Sequence, residues 1–173
     1  MKVTVVRGSI VDQRVDAIVT AGNTSLRGGS GVNGAVHAAA GPRLLRASRA
    51  LAPCPPGSAV VTPSFDLGPA RWVIHAVGPK YRGPADAEVL ASAYAACLAR
   101  ADEVGARSVA FPSISTGVYG YPSEEAAEVS VAALLAAETQ VERVLLVSFG
   151  ADMAEYWTAA LETYGFGSDL RGS

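Results

Sequence analysis

The sequence contains few residues of several kinds, and each shortage excludes a class of protein. Only two cysteines occur, Cys54 and Cys97, which are too few for a disulfide framework and do not have the spacing of a zinc site. No apolar run approaches the roughly 18 to 20 residues of a membrane-spanning helix, and the first residues predict a strand, so we expect no secretory leader. We therefore expect a cytoplasmic protein with free thiols, no metal site and no membrane partner.

Positive charge is also scarce. The net charge is -2 and the isoelectric point is about 5.7, so the chain lacks the overall basic field that holds long nucleic acids. We expect no stable nucleic acid partner, and we expect a monomer. Hydrophobic residues, in contrast, make up 50% of the 173 residues, which is enough for one domain with a substantial core.

Short apolar runs alternate with helical patterns along the whole chain. Runs of β-branched or aromatic residues predict strands at 2–7, 15–20, 58–63, 72–77, 109–111 and 144–149. Apolar residues at helical spacing predict helices at 31–40, 42–51, 89–101 and 127–135, and a last helix that runs from an N-cap at Asp152 to Tyr164. This alternation is typical of an α/β layer fold with a mostly parallel sheet and a ligand at the carboxyl ends of the strands. We assign residues 1–165 to a single domain and expect a flexible tail over 166–173.

The most unusual segment runs from Thr20 to Gly34 and is rich in glycine. Its last part, from Gly29, satisfies the G-x-G-x-x-G pattern of dinucleotide-binding proteins. That motif also needs a strand directly before it and an acidic residue about 20 positions later. No Asp or Glu occurs between Asp16 and Asp66, so the dinucleotide motif is excluded. A P-loop is excluded as well, because neither lysine of the chain follows G-x-x-x-x-G.

The same segment has the properties of an anion-binding loop. Glycines let backbone N–H groups approach a phosphate, and the helix predicted from Gly31 offers unpaired N–H groups at the positive end of its dipole. The acid-free stretch also carries Arg27, Arg43, Arg46 and Arg49, so its local potential should be positive. The alternative is that the glycines form only a long turn and the arginines only a solvated surface.

A second glycine-rich loop, residues 112–122, follows the strand predicted at 109–111 and precedes a helix. The hydroxyls of Ser115 and Thr116 and the amides around Gly117 are suited to bind one phosphate, and Tyr119 offers a ring for a sugar. Two loops of this kind predict a ligand with a diphosphate.

In four segments the sequence resembles the macrodomain family, and within it the MacroD-like hydrolase group. The segments are VDAIVTAGN (15–23), GGSGVNGAVHAAAGP (28–42), WVIHAVGP (72–79) and FPSISTGVYGYP (111–122). The resemblance implies a three-layer α/β/α fold around a mixed, mostly parallel sheet, with a cleft for ADP-ribose. It also implies an activity that removes mono-ADP-ribose from acidic side chains of proteins or deacetylates O-acetyl-ADP-ribose, without a metal or redox cofactor.

The resemblance implies a role for individual residues as well. Asn23 corresponds to the residue that contacts the distal ribose, the two glycine-rich loops to those that bind the diphosphate, and Phe149 to an aromatic contact with adenine. The residues assigned to ligand binding in this way are Ser9, Ile10, Gly29, Ser30, Gly31, Val32, Ser115, Thr116, Gly117, Val118, Tyr119 and Phe149.

Three positions depart from the family pattern. Ser9 stands where the family has the Asp that accepts a hydrogen bond from the adenine amino group. Thr20 stands where the family has the first of two asparagines, the second of which is Asn23 here. Asn33 replaces the Asp of the catalytic loop. An amide has no useful basicity, so Asn33 can position a ribose hydroxyl or a water but cannot act as a general base.

For catalysis we expect a substrate-assisted reaction, in which a phosphate oxygen holds the water while Asn23 and Asn33 fix the distal ribose. His37, one helical turn after Asn33, is the nearby imidazole that could bond the water or orient Asn33. Each residue has a structural alternative: an Asx turn for Asn23, a plain first-turn residue for Asn33, and a bond to a backbone carbonyl for His37. The functional alternative is a reader that binds ADP-ribose without turnover.

Overall fold

The structure, a computed structural model, describes residues 1–165 and the backbone of residues 170–172. In this part of the chain the strands are β1 (Lys2–Arg7), β2 (Ala17–Ala21), β3 (Ala59–Pro63), β4 (Trp72–Ala76), β5 (Ser108–Phe111), β6 (Arg143–Ser148) and β7 (Leu170–Gly172). The helices are α1 (Gly31–Ala40), α2 (Pro42–Arg49), α3 (Asp86–Glu103), α4 (Ser123–Ala136) and α5 (Ala151–Thr163), and a short 3-10 turn covers Ile10–Asp12.

The strands form one sheet in the order β3-β4-β2-β5-β6-β1-β7. Neighbouring strands are parallel throughout, except that β3 pairs with β4 in the antiparallel direction. Parallel neighbours require long crossover connections, and the helices provide them. The expectation of a mixed, mostly parallel sheet is therefore confirmed.

Residues of the central strands alternate between two apolar clusters on opposite faces of the sheet. On β6, Val144 and Leu146 belong to one cluster, and Leu145 and Val147 belong to the other. The first cluster also contains α3, α4 and α5, whereas the second contains α1 and α2. Helices thus cover both faces, which confirms the three-layer α/β/α architecture.

The break between α1 and α2 follows from two local signals. Gly41 has a φ of 84°, which favours glycine, and it ends α1. Pro42 then occupies the first turn of α2, where its missing N–H is not needed.

The C-terminal residues differ in part from the expected flexible tail. Leu170–Gly172 forms β7, which pairs in parallel with β1 from Val5 to Arg7 and covers an edge that would otherwise be unpaired. Residues 166–169 and Ser173 lie outside the described part of the chain, so the expectation for them stays a prediction.

Two further expectations concern the thiols and the membrane. Cys54 and Cys97 are both buried and free, as expected. Among the helices of the described residues, none combines the length and the apolar character needed to cross a bilayer.

The parallel strands bring several loops to one edge of the sheet. The carboxyl ends of β1, β2, β4, β5 and β6 share this edge, because these strands run in the same direction. Both glycine-rich loops start there, the first after β2 and the second after β5.

Candidate functional site

A cleft of about 590 Å³ opens at the edge of the sheet where the two glycine-rich loops start. This volume lies in the range that holds a small-molecule ligand. All but two of the predicted site residues line the cleft, namely Ile10, Asn23, Gly29, Ser30, Gly31, Val32, Asn33, Ser115, Thr116, Gly117, Val118, Tyr119 and Phe149. The two that do not line it are Ser9 and His37.

Asn23 lies two residues beyond β2 and presents an amide to the cleft. Its Oδ1 accepts hydrogen bonds from Ser25 Oγ at 2.8 Å and from Arg27 N at 3.2 Å. The amide oxygen therefore shapes the loop, as the Asx-turn alternative supposed. Its Nδ2 has no hydrogen-bond partner among the described residues, so this donor is available to a ligand.

Asn33, in the first turn of α1, is only 8% exposed. Its Oδ1 accepts a hydrogen bond from Thr20 Oγ1 at 3.0 Å, and its Nδ2 donates one to Arg27 O at 3.3 Å. Both ends of the amide are thus engaged within the protein. Asn33 connects the end of β2 to the first glycine-rich loop, which makes it a positioning residue.

The structure does not support the catalytic assignment of His37. Both ring nitrogens of His37 are buried and have no hydrogen-bond partner, so the ring bonds neither Asn33 nor a backbone carbonyl. The ring lies behind Gly28, and its centroid is 6.1 Å from that of His75. Burial lowers the pKa of His37, because the charged imidazolium loses its hydration there.

Ser9 is also not brought into the cleft. It precedes the 3-10 turn, and its carbonyl oxygen accepts a hydrogen bond from Gln13 Nε2 at 2.8 Å. The neighbouring residues Gly8 and Ile10 do line the cleft. This segment therefore contributes backbone and apolar surface to the lining of the cleft, through Gly8 and Ile10, and not the Ser9 hydroxyl.

The first glycine-rich loop approaches α1 closely. A Cβ on Gly34 would lie 2.5 Å from the carbonyl oxygen of Gly29, so a side chain at this position would push the loop away. Ser30, which precedes α1, makes no side-chain capping hydrogen bond. The N–H groups at the start of α1 therefore remain available at the wall of the cleft, which is the arrangement of an anion site.

The second loop holds a strained serine. Ser115 has a φ of 69°, is 7% exposed, and has a buried Oγ without a hydrogen-bond partner. Gly78 permits this arrangement, because a Cβ there would lie 2.1 Å from Ser115 Oγ. Strain and an unpaired buried hydroxyl both cost free energy, and they are retained mainly where a ligand uses them.

Apolar side chains are exposed at the rim. Val118, at the tip of the second loop, is 96% exposed, and Phe149, after β6, is 67% exposed. Tyr119 is held more firmly, since its carbonyl oxygen accepts a hydrogen bond from Tyr81 N at 2.9 Å and its ring centroid lies 5.6 Å from Lys80 Nζ. These surfaces are suited to pack against the flat parts of a nucleotide.

Several residues that line the cleft were not predicted as site residues, among them Gly8, Gly78, Ser113, Ser148 and Met153. Gly78 and Ser113 lie within segments that carry the family resemblance, so a signal for them was present. Ser148 and Met153 had no local signal, because they reach the cleft only through the position of β6 in the sheet.

The chemistry of the cleft is that of hydrogen-bond donors. Among the described residues that line it, none is Asp, Glu, His, Cys, Lys or Arg, and Tyr119 is the one titratable side chain. The described residues also contain no group of three side chains that could hold a metal ion. The arrangement can bind a diphosphate and a ribose, but it offers no carboxylate or imidazole as a general base.

Comparison with known proteins agrees with this description. The family model of the Macro domain matches residues 19–130. The chain is 48% identical over 169 residues to the O-acetyl-ADP-ribose deacetylase of Klebsiella pneumoniae, covering 92% of this chain and 96% of that protein. The chain therefore belongs to the Macro domain family.

Solved macrodomain structures share the fold. A mutant of the Oceanobacillus iheyensis macrodomain with ADPR superposes with a TM-score of 0.87 at 37% identity, covering 92% of this chain and 91% of that one. The Trypanosoma brucei macrodomain in complex with ADP-ribose gives a TM-score of 0.84 at 34% identity, covering 92% and 68% of the two chains.

Proposed function

We propose that the protein binds ADP-ribose in this cleft and removes mono-ADP-ribose from acidic side chains of modified proteins, and that it also deacetylates O-acetyl-ADP-ribose. The observation that carries the proposal is a cleft lined both by the uncapped start of α1 and by the second glycine-rich loop. The free N–H groups at the start of α1 offer donors to a diphosphate. The names and ligands of the similar proteins support the same ligand and a hydrolytic reaction.

The proposed reaction is hydrolysis of an ester between the distal ribose and a carboxyl group. Asn23 donates from Nδ2 to the distal ribose and holds it, while a phosphate oxygen of the substrate holds the attacking water and takes its proton. The water oxygen forms a bond to the ester carbonyl carbon, and the bond from that carbon to the ribose oxygen breaks. The proton held by the phosphate oxygen passes to the ribose oxygen, and the carboxylic acid that is formed releases its proton to solvent, which yields ADP-ribose and a free carboxylate.

This mechanism needs no side-chain base, in keeping with the donors found in the cleft. We propose that it also needs no metal or redox cofactor, so a chelator should leave the rate unchanged. Asn33 contributes by holding the loop through Thr20 and Arg27.

The second candidate function is binding of ADP-ribose without turnover. The observation in its favour is that the described lining contains no carboxylate or imidazole and that both ends of the Asn33 amide are engaged. A reader and an enzyme would share the cleft and differ only in the fate of the bound ester.

The test measures release of free ADP-ribose from a protein mono-ADP-ribosylated on Glu or Asp. Asn23→Asp keeps an oxygen that accepts from Ser25 and Arg27 but removes the Nδ2 donor, so it should fold normally and lose at least about tenfold in rate. Asn33→Ala removes the link between Thr20 and Arg27, and its rate shows whether that link supports turnover. Gln140→Ala, on the exposed surface away from the cleft, is the control and should retain the wild-type rate.

A parallel measurement of the melting temperature with and without ADP-ribose separates the candidates. Release by the wild type that is lost in Asn23→Asp supports the hydrolase. A melting temperature raised by ADP-ribose without any release identifies a reader. If ADP-ribose neither shifts the melting temperature nor is released, the proposed function is wrong.

A further inference from the structure

The charges of this protein are separated along the chain. Of the fourteen Lys and Arg and sixteen Asp and Glu, four arginines and no acidic residue fall within residues 17–65. One of the four, Arg43, is paired with Asp66 at 2.9 Å and lies over the ring of Phe65 at 5.0 Å. The other three, Arg27, Arg46 and Arg49, are exposed and form no ion pair with any described residue. We call these three the arginine patch.

The backbone of Arg27 is anchored to the cleft. Its N–H donates to Asn23 Oδ1 at 3.2 Å, and its carbonyl oxygen accepts from Asn33 Nδ2 at 3.3 Å. Both asparagines line the cleft, whereas the Arg27 side chain does not. Arg27 is therefore an exposed residue whose main chain lies beside the cleft, next to Asn23.

The other two arginines are attached to the same rim through α2. Ser48 Oγ donates to Leu26 O at 2.9 Å in a buried hydrogen bond, and Leu45 packs beside Gly28. Arg46 and Arg49 are exposed residues of this helix, three positions apart, and therefore neighbours on its surface. The exposed residues of the preceding helix α1 are uncharged, so no negative charge on either helix weakens the patch.

We propose that the arginine patch recognises an acidic stretch of polypeptide around the modified residue of the substrate protein. The inference rests on the proposed function, in which the ester lies at the distal ribose beside Asn23, and therefore near the rim of the cleft that carries Arg27. Carboxylates flanking the modified Glu or Asp then meet the guanidinium groups, which bind carboxylates in a bidentate manner. Contacts of this exposed type raise the association rate and are weakened by salt.

The test compares two synthetic peptides that carry one mono-ADP-ribosylated Glu, flanked by Glu in one peptide and by Gln in the other. At low ionic strength the wild type should show a kcat/KM about 3 to 10 times higher for the acidic peptide, mainly through KM. The preference should disappear in the double variant Arg46→Gln/Arg49→Gln and at about 0.5 M salt, where charges are screened within a few ångströms. Arg27→Gln keeps the main-chain bonds to Asn23 and Asn33 and should reduce the preference as well.

Two controls separate the patch from the reaction itself. O-acetyl-ADP-ribose has no polypeptide, so the double variant should hydrolyse it at the wild-type rate. Arg71→Gln removes an exposed arginine that precedes β4, at the opposite edge of the sheet, and should retain the full preference. The melting temperatures of the variants confirm that each one folds.

Equal hydrolysis of both peptides by the wild type would show that the arginine patch does not recognise acidic polypeptide, and it would leave the proposed function intact. Loss of O-acetyl-ADP-ribose hydrolysis in the double variant would overturn it too, because the arginines would then act on the reaction. If no substrate is hydrolysed, the proposed function is wrong. The affinities of the two peptides then test the patch by themselves: tighter binding of the acidic peptide supports it, and equal binding contradicts it. Tighter binding of a single-stranded RNA than of the acidic peptide, lost in the double variant, would show a nucleic acid surface instead.

Discussion

Thr20 Oγ1, at the end of β2, donates a hydrogen bond of 3.0 Å to Asn33 Oδ1 in the first turn of α1. Both residues are buried, and both are departures from the family pattern. Because Asn33 also bonds the carbonyl oxygen of Arg27, the pair joins the strand to the first glycine-rich loop. The two departures thus form one structural unit that holds the loop.

Thr20→Val tests this unit, because it removes the hydroxyl and keeps the shape. Asn33 Oδ1 would be left buried without a donor, so the free energy of unfolding should fall by about 1 to 3 kcal/mol. ADP-ribose should also bind more weakly, since the loop loses an anchor. Chemical denaturation and calorimetric titration measure the two effects. Thr20→Ser keeps the hydroxyl and should stay near wild type, and a valine variant with wild-type stability and affinity would contradict the assignment.

Ser115→Ala should have opposite effects on the free and the bound protein. The Ser115 hydroxyl has no partner in the free protein, so its removal should leave the melting temperature unchanged or slightly higher. The affinity for ADP-ribose should fall about 10- to 100-fold, the value of a hydrogen bond to a charged group. Ser130→Ala is the contrast, because Ser130 Oγ donates to Ala127 O and accepts from Trp157 Nε1, and its loss should destabilise the fold. If Ser115→Ala bound ADP-ribose with unchanged affinity, the Ser115 hydroxyl would not contribute to ligand binding.

Gly34→Ala should displace the first loop. The new Cβ would lie 2.5 Å from the Gly29 carbonyl oxygen, a backbone atom that can move only with the loop. We expect at least about a tenfold loss of ADP-ribose affinity, measured by calorimetric titration, because the loop donors no longer match the phosphates. Gly83→Ala has open space around its Cβ and should bind as the wild type does. Equal affinities of the two variants would show that the loop tolerates the shift.

The stability of the protein should fall in mild acid because of His75. Burial, together with the charge of His37, lowers the pKa of His75 from 6.5 to about 3, and its Nε2 lies 2.9 Å from Thr62 Oγ1. Below pH 6.5 the unfolded chain therefore binds a proton that the folded protein excludes, so stability present above pH 6.5 is lost as the pH falls toward 3. Between pH 7 and pH 5.5 the loss from His75 should be about 1 kcal/mol.

Urea denaturation of the wild type and of His75→Gln across this pH range measures the effect. The variant should lose less stability than the wild type between pH 7 and pH 5.5. The loss that remains in the variant is then due to protonation of His37 and other groups. An equal pH dependence of the two proteins would show that His75 does not carry the effect.

The secondary structure was predictable because its signals are local. The bounds of α1 and β1 agree with the prediction, and the Gly41-Pro42 pair marked the break between two helices. Strand β7 was not predicted, because a three-residue strand forms only where another strand presents an unpaired edge, here that of β1.

The site was predictable where it depends on loops that carry their own signal. The glycine-rich loops after β2 and β5 were recognised, and their residues do line one cleft. His37 does not line the cleft, although it shares a helix face with Asn33. Asn33 lies in the first turn of α1, beside the cleft. One turn later, the ring of His37 lies next to Gly28, and its centroid is 6.1 Å from that of His75.

By itself, the sequence determined the α/β architecture, the two anion-binding loops and the resemblance to the family, because periodicity and glycine and proline positions act over a few residues. Only the tertiary structure decided which polar groups are engaged and which are free. Ser115 remains unpaired beside Gly78, and Asn33 is occupied by Thr20 and Arg27. These outcomes depend on contacts between segments distant in the chain, and such contacts form only when the sheet brings the ends of its strands together.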